Sequence, residues 1–431
     1  MFPNLYARLL YARWMYRWET ALTTRDENRI VRPVEWGFDW LEDFIESAGL
    51  RRQIFGNSDP ASLAPHAAEA ALVALNEAIV ERSEAFYSYT PPADYQLETR
   101  HPQLFPTNVR PETLRQDAEL KRRAAEGKLK PAQFLRFTSP IRTPYPENDL
   151  VNARWYPAPS EKMQGKPKRA PKRAMIVMPQ WNADAFSHNA LCSLFNRFGI
   201  SALRLSKPYH DIRRPAELER SDYAVSSNIG RNIAACRQAV IDIRCCLDWL
   251  ESQGYEYFGI LGTSLGSCYA FIAAAHDSRL RVNAFNHAST SFGDVVWTGQ
   301  STRHIRQAFE DAGLSQERLR ELFGATSPVN YMQRFAAQPK KVLVVHAKYD
   351  LTFLPEYSVE VLRRFSELGI DYVSKVLPCG HYTTGETPYK FMDGWYLGSF
   401  VYSAFKALAQ NQPTLSPSLT ERAEKRELIG R

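Results

Sequence analysis

Along this chain of 431 residues the spacing of apolar positions changes character near residue 134. Before that point it is helical. Phe2, Leu5, Tyr6, Leu9, Leu10, Trp14 and Trp18 interleave with Arg8, Arg13 and Arg17, which predicts an amphipathic helix over residues 1–18. An Ala-rich stretch with Leu63, Leu72, Leu75 and Ile79 predicts a second helix over 62–87, and Pro111 opens and Gly127 closes a third. Pro91, Pro92, Pro102 and Pro106 mark an irregular crossing between them. After residue 134, short apolar runs at 134–139, 151–156, 174–178, 200–205, 258–261, 281–285, 342–346 and 373–377 predict strands. Helical stretches separate them, the longest over 228–253, where Ile229, Ile233, Cys236, Val240, Ile243, Leu247 and Leu250 recur at intervals of three and four. Strands alternating with helices predict an α/β fold with a mostly parallel sheet flanked by helices. The chain therefore divides into a helical N-terminal region packing on the core (1–130), an α/β domain (131–410) and a polar tail (411–431). Residues 291–335 interrupt the alternation as a helical insertion. Leaving the sheet at its carboxyl edge, that insertion is expected to form a cap, together with the N-terminal helices.

Composition narrows the class without naming a chemistry. Hydrophobic residues at 44% and charged residues at 23% are globular values. No run of 18 apolar residues occurs and the N-terminus lacks a signal-peptide pattern, so a cytoplasmic location is expected. The net charge of +7 is dispersed among acidic residues, which argues against nucleic acid as a partner. The densest basic run, residues 162–173, reads as an exposed loop. Arginines among aromatics near the N-terminus make 1–18 compatible with peripheral contact at a lipid surface, although packing on the protein body is the favoured reading. The six cysteines have neither Cys-x-x-Cys nor zinc spacing, and no metal or organic cofactor is implied. Sequence does not specify the oligomeric state.

One stretch carries chemistry. In Gly262-Thr263-Ser264-Leu265-Gly266 an apolar strand runs into a serine and small residues run out of it, the context of a nucleophile elbow. A serine hydroxyl needs a base, and the base needs a third group to fix its tautomer. Asp350 follows the strand at 342–346 and His381 follows the strand at 373–377, so all three candidates lie at the carboxyl edge, where ligands bind in open α/β sheets. The chain order is Ser, Asp, His. His287, after the strand at 281–285, is the rival base and is read as structural. The oxyanion calls for backbone donors: the Leu265 amide, and a second from the loop after Met178, with Trp181 preferred and Gln180 the alternative. His210, in a loop at the same edge, and Trp297, in the insertion, are assigned to the substrate pocket. Cys268 and Cys379 read as packing residues.

These motifs resemble those of the α/β-hydrolase fold over about residues 134–408. The elbow, the Asp350 loop, Gly380-His381 and Pro208-Tyr209-His210, together with the helical N-terminus, look most like the family of α/β-hydrolase domain-containing protein 18. The resemblance implies a serine-hydrolase site and little about substrate; the triad itself suggests an enzyme, carboxylesterase- or lipase-like, that hydrolyses a small-molecule acyl ester, thioester or amide through an acyl-Ser264 intermediate. Gln180-Trp181 stands where a conventional member shows His-Gly. Two other readings remain open, an acyltransferase and a catalytically silent binding or membrane-surface module.

Overall fold

The computed structural model describes residues 3–104, 111–159 and 172–410. The basic loop, apart from Lys172 and Arg173, and the polar tail lie outside the described residues. Nine strands form one sheet: β1 (Gln96–Arg100), β2 (Ala132–Thr138), β3 (Leu150–Tyr156), β4 (Arg173–Met178), β5 (Ser201–Leu205), β6 (Tyr257–Thr263), β7 (Leu280–Asn286), β8 (Lys341–Ala347) and β9 (Tyr372–Leu377). Their spatial order is β1-β2-β3-β5-β4-β6-β7-β8-β9. The first three and β5 are mutually antiparallel, and β5, β4, β6, β7, β8 and β9 run parallel.

Beside the sheet stand α1 (Pro3–Thr24), α2 (Pro65–Glu81), α3 (Asn189–Arg197), α4 (Ile229–Ser252), α5 (Leu265–His276), α6 (Phe292–Thr298), α7 (Pro355–Glu367) and α8 (Tyr389–Gln410). Because side chains alternate along a strand, β4 divides its apolar residues between two layers. Ala174, Ile176 and Met178 join the core built with α4 and α5, whereas Met175 and Val177 join the one built with α3 and α8.

Two sequence expectations are corrected here. The N-terminal region is not wholly helical, since residues 96–100 form β1 at the sheet edge. Its residues, Gln-Leu-Glu-Thr-Arg, are polar but for Leu97 and largely exposed, a composition suited to an edge strand and without an apolar period to read. The long helix α4 is buried on more than the predicted stripe. Arg231, Asn232, Gln238 and Asp242 are buried too, because Trp40 of the N-terminal region lies against Arg231 while residues 139–149 and Arg213 meet Gln238 and Asp242. A Cβ on Gly230 would lie 1.9 Å from the Gly37 carbonyl oxygen, so only glycine permits that approach. Asp242 is matched by Arg213 at 2.8 Å, both wholly buried, and accepts a hydrogen bond from the Ser139 hydroxyl.

The insertion is tied down by α2, where the Asn76 amide donates to the Leu322 carbonyl (3.0 Å) and its oxygen accepts from the Ala325 amide (2.8 Å). Among the described residues no helix is long and apolar enough to cross a membrane.

Candidate active site

The serine sits where β6 turns into α5. Ser264 has φ 57° and ψ −121°, a left-handed backbone that a non-glycine residue adopts only under constraint. The constraint is close packing by the flanking glycines. A Cβ on Gly262 would lie 2.2 Å from the Gly266 oxygen, and one on Gly266 would lie 2.2 Å from the Met178 oxygen. The elbow is thereby pressed against the end of β4, and the Ser264 amide is anchored to the Asn286 carbonyl of β7 at 2.8 Å.

Strands β8 and β9 deliver the two other predicted residues. His381 Nε2 is 3.0 Å from Ser264 Oγ, and His381 Nδ1 is 2.9 Å from Asp350 Oδ2. The other carboxylate oxygen, Oδ1, accepts the amides of Thr352 (2.8 Å) and Phe353 (2.7 Å), which fixes the carboxylate plane. Phe353 also stacks on the imidazole, with ring centres 5.3 Å apart. Burial alone would raise the Asp350 carboxyl, but the facing His381 and His287 outweigh it and hold it well below the ordinary range. Burial alone would depress His381. The carboxylate of Asp350, with Glu19 behind it, outweighs that and raises the imidazole above its ordinary value.

Two further residues belong to this constellation. His287 is buried, its Nδ1 is 3.1 Å from the same Asp350 Oδ2, and its ring centre is 4.4 Å from that of His381. Burial, and after it the neighbouring His381, depresses its pKa, which favours the neutral ring. His287, Asp350 and His381 place ligand atoms within 4.8 Å of one another, a spacing a metal ion could use. Binding one there would displace the contacts of both rings with Asp350.

The second residue is Glu19, wholly buried on α1. Its carboxylate accepts the amides of Tyr382 (2.7 Å) and Thr383 (2.9 Å) and the Thr383 hydroxyl (3.0 Å). A Cβ on Gly380 would lie 2.4 Å from Glu19 Oε2, so the glycine before His381 makes room for it. The N-terminal helix therefore floors the loop that carries His381.

A cavity of about 1120 Å³ opens above Ser264. Gln180, Trp181 and Leu265 line it, as do Phe292, Val295 and Val296 of α6. Among the described residues the amides of Trp181 and Leu265 carry no backbone hydrogen bond within the chain. The loop after β4 is locked in place: the Trp181 indole donates to the Ser221 carbonyl (3.0 Å), and Lys207 donates to the Gln180 carbonyl (2.7 Å).

His210 and Trp297, both expected at the pocket, are not among the residues that line this cavity. His210 is buried beneath the loop, where Nδ1 donates to the Pro208 carbonyl (2.7 Å) and Nε2 accepts the Asn182 amide (3.2 Å). Position at the sheet edge was readable, but the direction of the side chain was not. Trp297 follows Val296 by one helical step of about 100°, which turns it off the lining stripe and under the Arg306 guanidinium, 5.2 Å from the ring centre. The insertion thus serves both purposes: α6 walls the cavity while Ile305 and Phe309 pack inward as core.

No protein-family model matches the sequence, and no curated protein sequence matches it. Solved structures do resemble it. The acetyl xylan esterase from Paenibacillus sp. R4 superposes with a TM-score of 0.51 at 12% identity, covering 75% of this chain and 93% of that one. Acetyl xylan esterase 1 from Thermoanaerobacterium sp. JW/SL YS485 gives 0.50 at 15% identity, covering 76% and 93%. The acylaminoacyl peptidase of Pyrococcus horikoshii gives 0.47 at 12% identity, and the match spans 46% of its length. The fold is that of the α/β hydrolases.

Proposed function

We propose that this α/β-hydrolase-fold protein is a serine hydrolase that cleaves an acyl ester, thioester or amide through an acyl-Ser264 intermediate, with carboxylesterase- or lipase-like chemistry. The observation that carries the reading is the unbroken line Ser264 Oγ, His381 Nε2, His381 Nδ1, Asp350 Oδ2, with successive contacts of 3.0 and 2.9 Å, at the floor of a cavity. In this reading His381 takes the hydroxyl proton as Ser264 attacks the carbonyl carbon, and returns it to the leaving group as the tetrahedral intermediate collapses. Asp350 keeps the proton-bearing Nδ1 turned away from the serine. The oxyanion is met by the Leu265 amide at the start of α5 and by the amide of Trp181 or Gln180. Water, activated by the same imidazole, then releases the acyl group. Transfer to an acceptor other than water would follow the same steps. The narrower likeness to the family of α/β-hydrolase domain-containing protein 18 rests on the sequence motifs alone.

The test is covalent labelling. A fluorophosphonate probe should modify wild-type protein and leave Ser264→Ala unmodified, with equal thermal melting of the two. An unlabelled wild-type protein would instead support the silent binding module.

A lipid surface is proposed as a peripheral partner on a separate observation. On α1, Leu9, Leu10 and Trp14 are exposed beside exposed Arg8, Arg13 and Arg17, a pairing suited to anionic lipid headgroups. Residues 1 and 2 of the expected contact segment lie outside the described residues.

A further inference from the structure

The lining of the cavity extends over α3 and α8, where its charged residues are Arg197, Lys390 and Asp393. Asn286 ends β7, one strand over from Thr263 and in register with it, and its backbone carbonyl is the one that anchors the Ser264 amide. Its side-chain amide donates to both carboxylate oxygens of Asp393, at 3.1 and 3.0 Å, on the first turns of α8. Both residues line the cavity. Asn286 Oδ1 is buried and has no partner. Asp393 has no cation paired with it among the described residues. Lys390, one turn earlier, leans over the ring of Phe391 at 5.6 Å. Burial pushes the carboxyl up to about 7, with only the Asn286 amide opposing.

A half-buried carboxylate met only by the Asn286 amide, beside the unpartnered buried oxygen of that same side chain, leaves acceptor capacity open toward the cavity, and such groups are costly unless something arrives to satisfy them. The missing component is a cation that donates hydrogen bonds. Its side of the reaction follows from connectivity. His381 protonates the leaving group, and the loop bearing His381 runs directly into α8, whereas the apolar wall of Phe292, Val295 and Val296 suits the acyl chain.

We infer that Asn286 and Asp393 form a subsite for an ammonium group on the leaving group, so that the preferred substrates are acyl esters or amides of amino alcohols or diamines. This rests on the serine-hydrolase reading above. The experiment compares two esters of nearly identical shape, 2-(dimethylamino)ethyl butyrate, protonated at neutral pH, and 3-methylbutyl butyrate, with acid release followed by pH-stat titration. Wild-type kcat/KM should favour the amino ester by about tenfold or more, the worth of one charge-assisted hydrogen bond. Asp393→Asn should abolish that ratio. Equal use of the two esters by the wild type, or an unchanged ratio in Asp393→Asn, overturns the subsite while leaving the hydrolase reading intact. If neither ester is cleaved, the hydrolase reading fails on these substrates, and the subsite is judged by binding. Ser264→Ala protein should be thermally stabilised by N,N-dimethylethanolamine and not by 3-methylbutanol, and equal shifts would overturn it.

Discussion

A carboxylate that serves two imidazoles gives neither of them its whole charge. Asp350 Oδ2 faces both His381 and His287, so His287 tempers the support that Asp350 lends to protonated His381. In the proposed mechanism His381 accepts the serine proton only when neutral. With its pKa raised above the ordinary value of about 6.5, kcat/KM should fall as pH drops through a midpoint above that value. His287→Leu should move this acid limb to higher pH, because Asp350 then acts on His381 alone. A pH–rate profile checks both statements, and a limb unmoved by the substitution would reduce His287 to packing. Asp350→Asn should lower kcat by about 10⁴-fold through the wrong tautomer. Ser264, Asp350 and His381 were legible in the sequence because each follows an apolar strand in a short loop, and strand order places such loops at one edge. Asp393 was not legible. It lies inside a helix among Met392, Gly394 and Trp395, and only tertiary packing shows that it faces the cavity.

Elements repeat the lesson at larger spacing. Helix α4 was readable from its apolar period, but its burial on the far side depends on partners elsewhere in the chain, Trp40, Asn148 and Arg213 among them, which periodicity cannot report. Val240 is wholly buried, and Val240→Asp should cost several kcal/mol by placing an unpaired charge in the core, seen as a lowered midpoint in denaturant titration. Helix α1 was readable as amphipathic, but Glu19 resembled any surface glutamate between Trp18 and Thr20. Its true neighbours are the amides after His381. Glu19→Ala should destabilise the loop by about 1–3 kcal/mol for each buried amide left unpaired. Glu19→Gln removes a charge that helps to raise His381, so it should shift the acid limb to lower pH, opposite to His287→Leu.

At the scale of the whole molecule, α1 presents one face to the histidine loop and the other to solvent. Deleting residues 1–24 should abolish turnover even of a small ester while the cavity residues stay in place, and it should also remove any sedimentation with anionic liposomes. Wild-type turnover by the truncated protein would sink the brace. The Glu19 contact with Tyr382 joins positions 363 residues apart in sequence, a separation whose closure carries a large entropic cost. During synthesis residue 19 emerges long before residue 382 exists. A chain cut short, or halted with its C-terminal strands unpaired, holds a serine in its elbow but has no seated base. The clasp between α1 and the histidine loop therefore spans most of the chain, and any fragment that lacks either partner lacks this support for His381.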